Sequence, residues 1–143
     1  MGLDMFLTAR KFLFDDRAKL KTQIKKALNC NLEPKEIIFV VIYWRKVNAI
    51  HQWFVEHVQE ADDCELYCVS SDELKELLNT ITIVLKDKTL AKELLPIQTG
   101  LFFGSPEYDS YYWAELERTK AELENIFKTK LFDDFELYYQ ASW

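Results

Sequence analysis

The stretch Glu36-Ile37-Ile38-Phe39-Val40-Val41-Ile42 decides how the rest of the chain is read. Its six consecutive apolar residues are mostly β-branched, follow Pro34 and are too few for a buried helix, so they predict a strand. A run without polar alternation is the pattern of a strand covered on both faces, which places this one at the centre of a sheet.

Toward the amino terminus, Leu3, Met5, Leu7, Ala9 and Leu13 alternate with Asp4, Thr8 and Arg10, predicting a half-buried first strand over residues 3–14. Between the two strands Asp15 or Asp16 can cap a helix reaching about Asn29. Its Leu20, Ile24, Ala27 and Leu28 form an apolar stripe beneath a Lys-rich surface, so the helix is expected to lie on the sheet.

Beyond the central run a helix is expected from Tyr43 or Asn48 to about Ala61, with Ile50, Trp53, Phe54 and Val58 on an apolar arc and Arg45, Gln52, Glu56 and Gln59 opposite. Cys64 to Val69 reads as a short strand. Ser70-Ser71-Asp72-Glu73 matches a capping box, and Leu74, Leu77, Leu78, Ile81, Val84 and Leu85 carry helical spacing through the β-branched Thr80–Val84 stretch. A short helix around Leu90 to Leu95 ends at Pro96, and the glycine-bracketed segment from Ile97 to Pro106 reads as a short strand or tight loop. Asp109 or Ser110 opens the longest helix, and the alternation of Phe135, Leu137, Tyr139, Ala141 and Trp143 predicts a last strand.

The expected fold is therefore α+β, with a mixed, largely antiparallel sheet of four or five strands, about four helices packed on it, and both terminal strands inside it. One domain over residues 1–143 follows from the length and from the 49% of residues that are apolar. A formal charge of -6 disfavours binding to nucleic-acid backbones, whose affinity comes from clustered Lys and Arg. Cys30, Cys64 and Cys68 fit neither a disulfide framework nor a metal pair, which points to a reducing compartment. Cys64 and Cys68 would share a strand face roughly 13 Å apart, too far to pair, and read as small buried groups. The amino terminus lacks the pattern of a signal peptide, and no stretch reaches the ~18 apolar residues of a membrane span, so a cytoplasmic location is expected.

No phosphate-binding loop, dinucleotide fingerprint, nucleophile elbow or zinc motif is present, so no cofactor or metal is expected. The best chemical constellation is Tyr43-Trp44-Arg45-Lys46 followed by Asn48, His51 and Trp53. On one helix, His51 could act as a general base while Arg45 or Lys46 holds an anionic ligand against Trp44 and Asn48. The plainer reading is a helix at the edge of the core, and His57 is a lesser candidate on the same arc. A nucleophilic Cys64 is disfavoured by Asp62, Asp63 and Glu65 around it. The second candidate region interleaves carboxylates and aromatics from Ser105 to Trp113, and Tyr108, Tyr111 and Glu115 could form a protein-binding patch. Its plainer reading is helix capping by Asp109 with Tyr112 and Trp113 packed on the sheet.

On its opening Met1-Gly2-Leu3-Asp4-Met5-Phe6-Leu7, the segment Tyr43-Trp44-Arg45-Lys46-Val47-Asn48-Ala49-Ile50-His51-Gln52-Trp53-Phe54-Val55 and Gly100-Leu101-Phe102-Phe103-Gly104-Ser105, the chain resembles a family of small phage and prophage proteins over nearly its full length. The resemblance implies expression inside a bacterial host and carries no assigned activity or functional residue. It leads to the expectation of an accessory protein that binds a host or defence protein. An enzyme acting on a nucleotide or other anionic metabolite through Arg45, Lys46 and His51, and a structural homo-oligomer, are the competing expectations.

Overall fold

Alternation in the first strand, β1 (Asp4–Phe12), buries Met5, Leu7 and Ala9 on one face and leaves Phe6 and Arg10 on the other. The last strand, β4 (Glu136–Ser142), repeats the pattern with Leu137, Tyr139 and Ala141. In the computed structural model, which describes residues 2–143, these two strands pair antiparallel at the middle of a four-stranded sheet. The apolar run forms β2 (Glu36–Arg45) beside β1, and the short β3 (Tyr67–Val69) lies beside β4, giving the order β2-β1-β4-β3. Every pairing is antiparallel, and the chain has the expected α+β fold.

The six-residue apolar run is thus an edge strand and not the central one. It pairs only with β1, and Val41 drops out of the register where Leu7 faces Ile42 and Thr8 faces Val40. Ile42 and Trp44 enter the core, whereas Ile38, Phe39 and Val40 keep 47%, 54% and 60% of their surface exposed. Continuous apolarity signals two covered faces only when the covering comes from the same chain.

Helices cover a single face of the sheet. The helix α2 (Asn48–His57) supplies Ile50, Trp53 and Phe54, and α3 (Ser71–Lys86) supplies Leu74, Leu77, Ile81 and Val84. The longest helix, α5 (Ser110–Lys128), adds Tyr112, Leu116, Leu123 and Ile126 to the same cluster, while the four-residue α4 (Ala91–Leu94) contributes Ala91. Each large side chain so buried contributes about 1.5–3 kcal/mol. The α3 start has the full reciprocal cap: Ser70 Oγ accepts from the Glu73 N–H, and the Glu73 carboxylate accepts from the Ser70 N–H. Asp109 caps α5 by accepting from the Tyr112 N–H at 3.0 Å.

The helix α1 (Ala18–Leu28) departs from expectation in a different way. None of its residues is fully buried, and Leu20 and Ile24, though half-buried, neither belong to the core nor pack against it. Neither Asp15 nor Asp16 caps it, since a 3-10 turn over Asp15–Arg17 precedes it without a side-chain cap. Its place in the chain explains this. The Leu13 N–H donates to the Lys35 carbonyl at 2.9 Å, so the β1–β2 hairpin closes there and residues 14–34 form an arm off the end of the sheet. Asn29, left-handed at φ 50, ends the helix by donating its N–H to the Lys25 and Lys26 carbonyls.

Two smaller corrections follow from the same pairing, and one open alternative is decided. Tyr43, Trp44 and Arg45 extend β2 and are not helical, because the Lys46 N–H still donates to the Leu3 carbonyl at 2.7 Å before a left-handed Lys46, φ 57, turns the chain into α2. Cys64 precedes β3, and both Cys64 and Cys68 are exposed, Cys68 because it faces Tyr138 on the face without helices. Of the two forms expected for the glycine-bracketed segment, residues 100–104 take the loop; Phe103 plugs it into the core while Leu101 points out.

Candidate functional site

His51 is fully buried in α2, and its two ring nitrogens reach two different elements. Nδ1 lies 2.7 Å from the Tyr139 hydroxyl in β4, and Nε2 lies 3.0 Å from Oδ1 of Asp62. A carboxylate can only accept, so in the neutral ring Nε2–H donates to Asp62 and the Nδ1 lone pair accepts from Tyr139. The other Asp62 oxygen accepts from the Gln98 side-chain amide at 2.8 Å. Phe103 and Trp143 stand edge-on to the imidazole at 5.5 and 5.3 Å, and Tyr139 stacks on Phe54 at 3.9 Å.

Burial pushes the His51 imidazole below its ordinary range, outweighing the upward pull of Asp62. Burial likewise drives the Tyr139 hydroxyl well above its usual value. With its N–H donated and its lone pair occupied, neutral His51 offers no group to a substrate, and its role is to join α2, β4 and the loop holding Asp62.

Asn48 is a second such joint. Its amide donates to the carbonyls of Phe103 at 3.0 Å and Ser105 at 3.1 Å, and its oxygen accepts from the Gln98 N–H at 3.2 Å. All of its capacity at these contacts goes into holding the loop from Gln98 to Ser105 on the start of α2. Trp44 is buried in β2 and donates Nε1–H to Thr119 Oγ1 of α5 at 2.8 Å, so its ring is not available to stack on a ligand.

Arg45 and Lys46 lie elsewhere. Arg45 is exposed at the end of β2, 3.5 Å from Asp4, and a hydrogen bond with Tyr43, aided by Asp4, raises its pKa. Lys46 borders a narrow cleft with Asn48, Ser105, Glu107, Asp109 and Tyr111, which neither Arg45 nor His51 lines. The cationic and imidazole groups that the sequence placed on one helix therefore stand on a strand end, a left-handed turn and a buried helix face, and they do not converge.

The residues around α5 brace the sheet edge. Tyr111 donates its hydroxyl to the Arg45 carbonyl at 2.6 Å, and Arg118, held by the Glu115 carboxylate, donates to the Tyr43 carbonyl at 2.9 Å. Tyr108 accepts from the Ile97 N–H at 3.3 Å and packs edge-on to Tyr112. Tyr108, Tyr111 and Glu115 each have an internal partner, and Asp109 and Tyr112 cap and bury as their plainer reading requires.

The molecule's exposed apolar surface is concentrated in the arm and in the part of β2 that follows it. Among the described residues, six of the thirteen exposed large apolar side chains, Phe14, Leu28, Leu32, Ile38, Phe39 and Val40, fall between residues 14 and 40, which concentrates exposure in one stretch of the chain. Phe14 and Leu28 are each 70% exposed and Leu32 is 77% exposed. Between Asp15 and Lys35 the chain carries six basic and three acidic residues, against twelve and twenty-one in the remainder, so a basic arm projects from an acidic body. Within α1 itself Lys19, Lys21, Lys25 and Lys26 stand without a single acid.

The sequence shows the arm's helix with its apolar stripe and Lys-rich surface, but places it on the sheet; its detachment from the core leaves no local signal. Among the described residues no helix is long and apolar enough to cross a membrane, and no group of three potential metal ligands occurs. Compared with known families, curated proteins and solved structures, the chain matches no family model, no curated protein and no solved structure.

Proposed function

We propose that this chain is a non-catalytic protein-binding module, a small phage-type accessory protein that acts in the bacterial cytoplasm on a host or defence protein, and that α1 is its binding element. The observation that carries this reading is an amphipathic helix whose apolar stripe takes no part in the core: Leu20 and Ile24 are half-buried outside it, and Leu28 is exposed. Leu20, Ile24 and Leu28 recur at intervals of four, the spacing with which a helix fills an apolar groove. Four lysines and no acid on the same helix specify the rim of that groove as acidic, and the charge contrast with the body orients the approach.

An enzyme reading through Arg45, Lys46 and His51 has no support in this geometry, because His51 is enclosed and neither it nor Arg45 lines the cleft that Lys46 borders. The test is capture of partners from nuclease-treated bacterial lysate by the tagged chain and by an Ile24→Asp, Leu28→Asp variant of the same fold. A stoichiometric protein lost with the variant and weakened by salt supports the arm. Equal capture by both chains, or none by either, refutes it.

A further inference from the structure

β2 has one edge against β1 and one without a strand, and the two ends of the open edge are treated differently. Arg118 and Tyr111 occupy the outward carbonyls of Tyr43 and Arg45. At the other end the inward bond from Leu13 to the Lys35 carbonyl fixes the alternation, so Glu36, Ile38 and Val40 point their N–H and C=O groups outward. Among the described residues no backbone or side-chain group outside the β1 pairing bonds them. Pro34, which has no N–H, precedes this run. Proteins commonly blunt such an edge with lysines, prolines or bulges, yet from Ile37 to Val40 this one carries only apolar side chains, and its bulge falls beyond Val40.

We infer that a second copy of this chain pairs antiparallel along the open edge of β2, about a two-fold axis at Ile38, making one continuous eight-stranded sheet from the two four-stranded ones. The run is complementary to itself. Ile38 meets Ile38 of the second copy, Ile37 meets Phe39, and Glu36, the single ionisable residue of the paired stretch, meets Val40 and not another carboxylate. The three outward residues of each copy exchange about six backbone hydrogen bonds, which leaves none of the free edge unpaired. The α5 side chains bound the pairing at one end and the arm bounds it at the other.

Charge agrees with this arrangement. Antiparallel pairing carries the two basic arms to opposite ends of the joined edge, so that their lysines do not face each other. The pairing goes beyond the arm reading and does not depend on it. Ile38 and Val40 belong to the sheet, and the α1 stripe stays outside it.

The test is the mass of the purified chain in sedimentation equilibrium, alone and with Ile38 changed. The native chain should show twice its 17.0 kDa mass. Ile38→Lys places two lysines on the axis and should raise the dimer dissociation constant ~100-fold or more. Mixing Ile38→Lys with Ile38→Glu should restore a dimer, because each lysine then faces a glutamate. Val40→Glu, which sets a carboxylate against Glu36 of the second copy, provides the same disruption at a more exposed position if Ile38→Lys fails to fold. In a background with Cys30, Cys64 and Cys68 changed to Ser, Ile38→Cys should also form an intermolecular disulfide on mild oxidation. A native chain that stays monomeric, a dimer insensitive to both charge variants, or an edge found occupied by a strand of another protein overturns the pairing.

Discussion

Asn48→Ala distinguishes a structural joint from a ligand-binding residue most directly. The substitution deletes one buried hydrogen bond, to the Phe103 carbonyl, and two part-buried ones, to the Ser105 carbonyl and from the Gln98 N–H. A buried group left without a partner costs about 1–3 kcal/mol, and a bond whose groups can regain water costs about 0.5–1.5 kcal/mol. Together they amount to roughly 4 kcal/mol, which at about 4 °C per kcal/mol for a domain of this size lowers Tm by about 16 °C. Asn48→Asp keeps the acceptor for Gln98 but turns a carboxylate oxygen toward two carbonyls, so at neutral pH it should be at least as damaging. Differential scanning calorimetry of the three chains reads both effects. A Tm for Asn48→Ala within about 2 °C of the native chain would refute the joint and return Asn48 to the list of residues free to meet a ligand.

Other expectations follow from the same contacts. His51 is neutral in the fold and its pKa is lowered, with Asp62 and Tyr139 as the titratable groups facing it. Below the unfolded value of about 6.5 the unfolded chain takes up a proton that the native chain refuses, so stability should be full above that pH and fall as pH drops toward the native pKa. Urea unfolding at several pH values should show this slope, and it should disappear from His51→Gln. Thr119→Val leaves the Trp44 Nε1–H buried without an acceptor and should cost about 1–3 kcal/mol in the same assay. Ser70→Ala removes the side-chain half of the α3 cap and should cost about 1 kcal/mol, read as a shift in the urea midpoint at constant slope.

Local rules located most of the elements. The period-two patterns of β1 and β4 and the helical spacing of α3 and α5 were legible because burial of one face is written into each segment by its own side chains. The Ser70 and Asp109 caps were legible for the same reason, each being a bond between neighbours in sequence. At the candidate site the residue types were found but not their company. His51 meets Tyr139, 88 positions away, and no spacing signals that contact.

Residue patterning is thus enough for an α+β chain with apolar-faced elements in their order and both terminal strands within the sheet. Long-range packing is what puts the most apolar strand at the edge, continues it through Tyr43 to Arg45, and stands α1 away from the core. The physical reason is that apolar patterning records what a segment needs to bury and not what buries it. For β1, β4 and the α2, α3 and α5 faces the covering comes from the chain itself; for Ile38, Phe39, Val40 and Leu28 of α1 it does not.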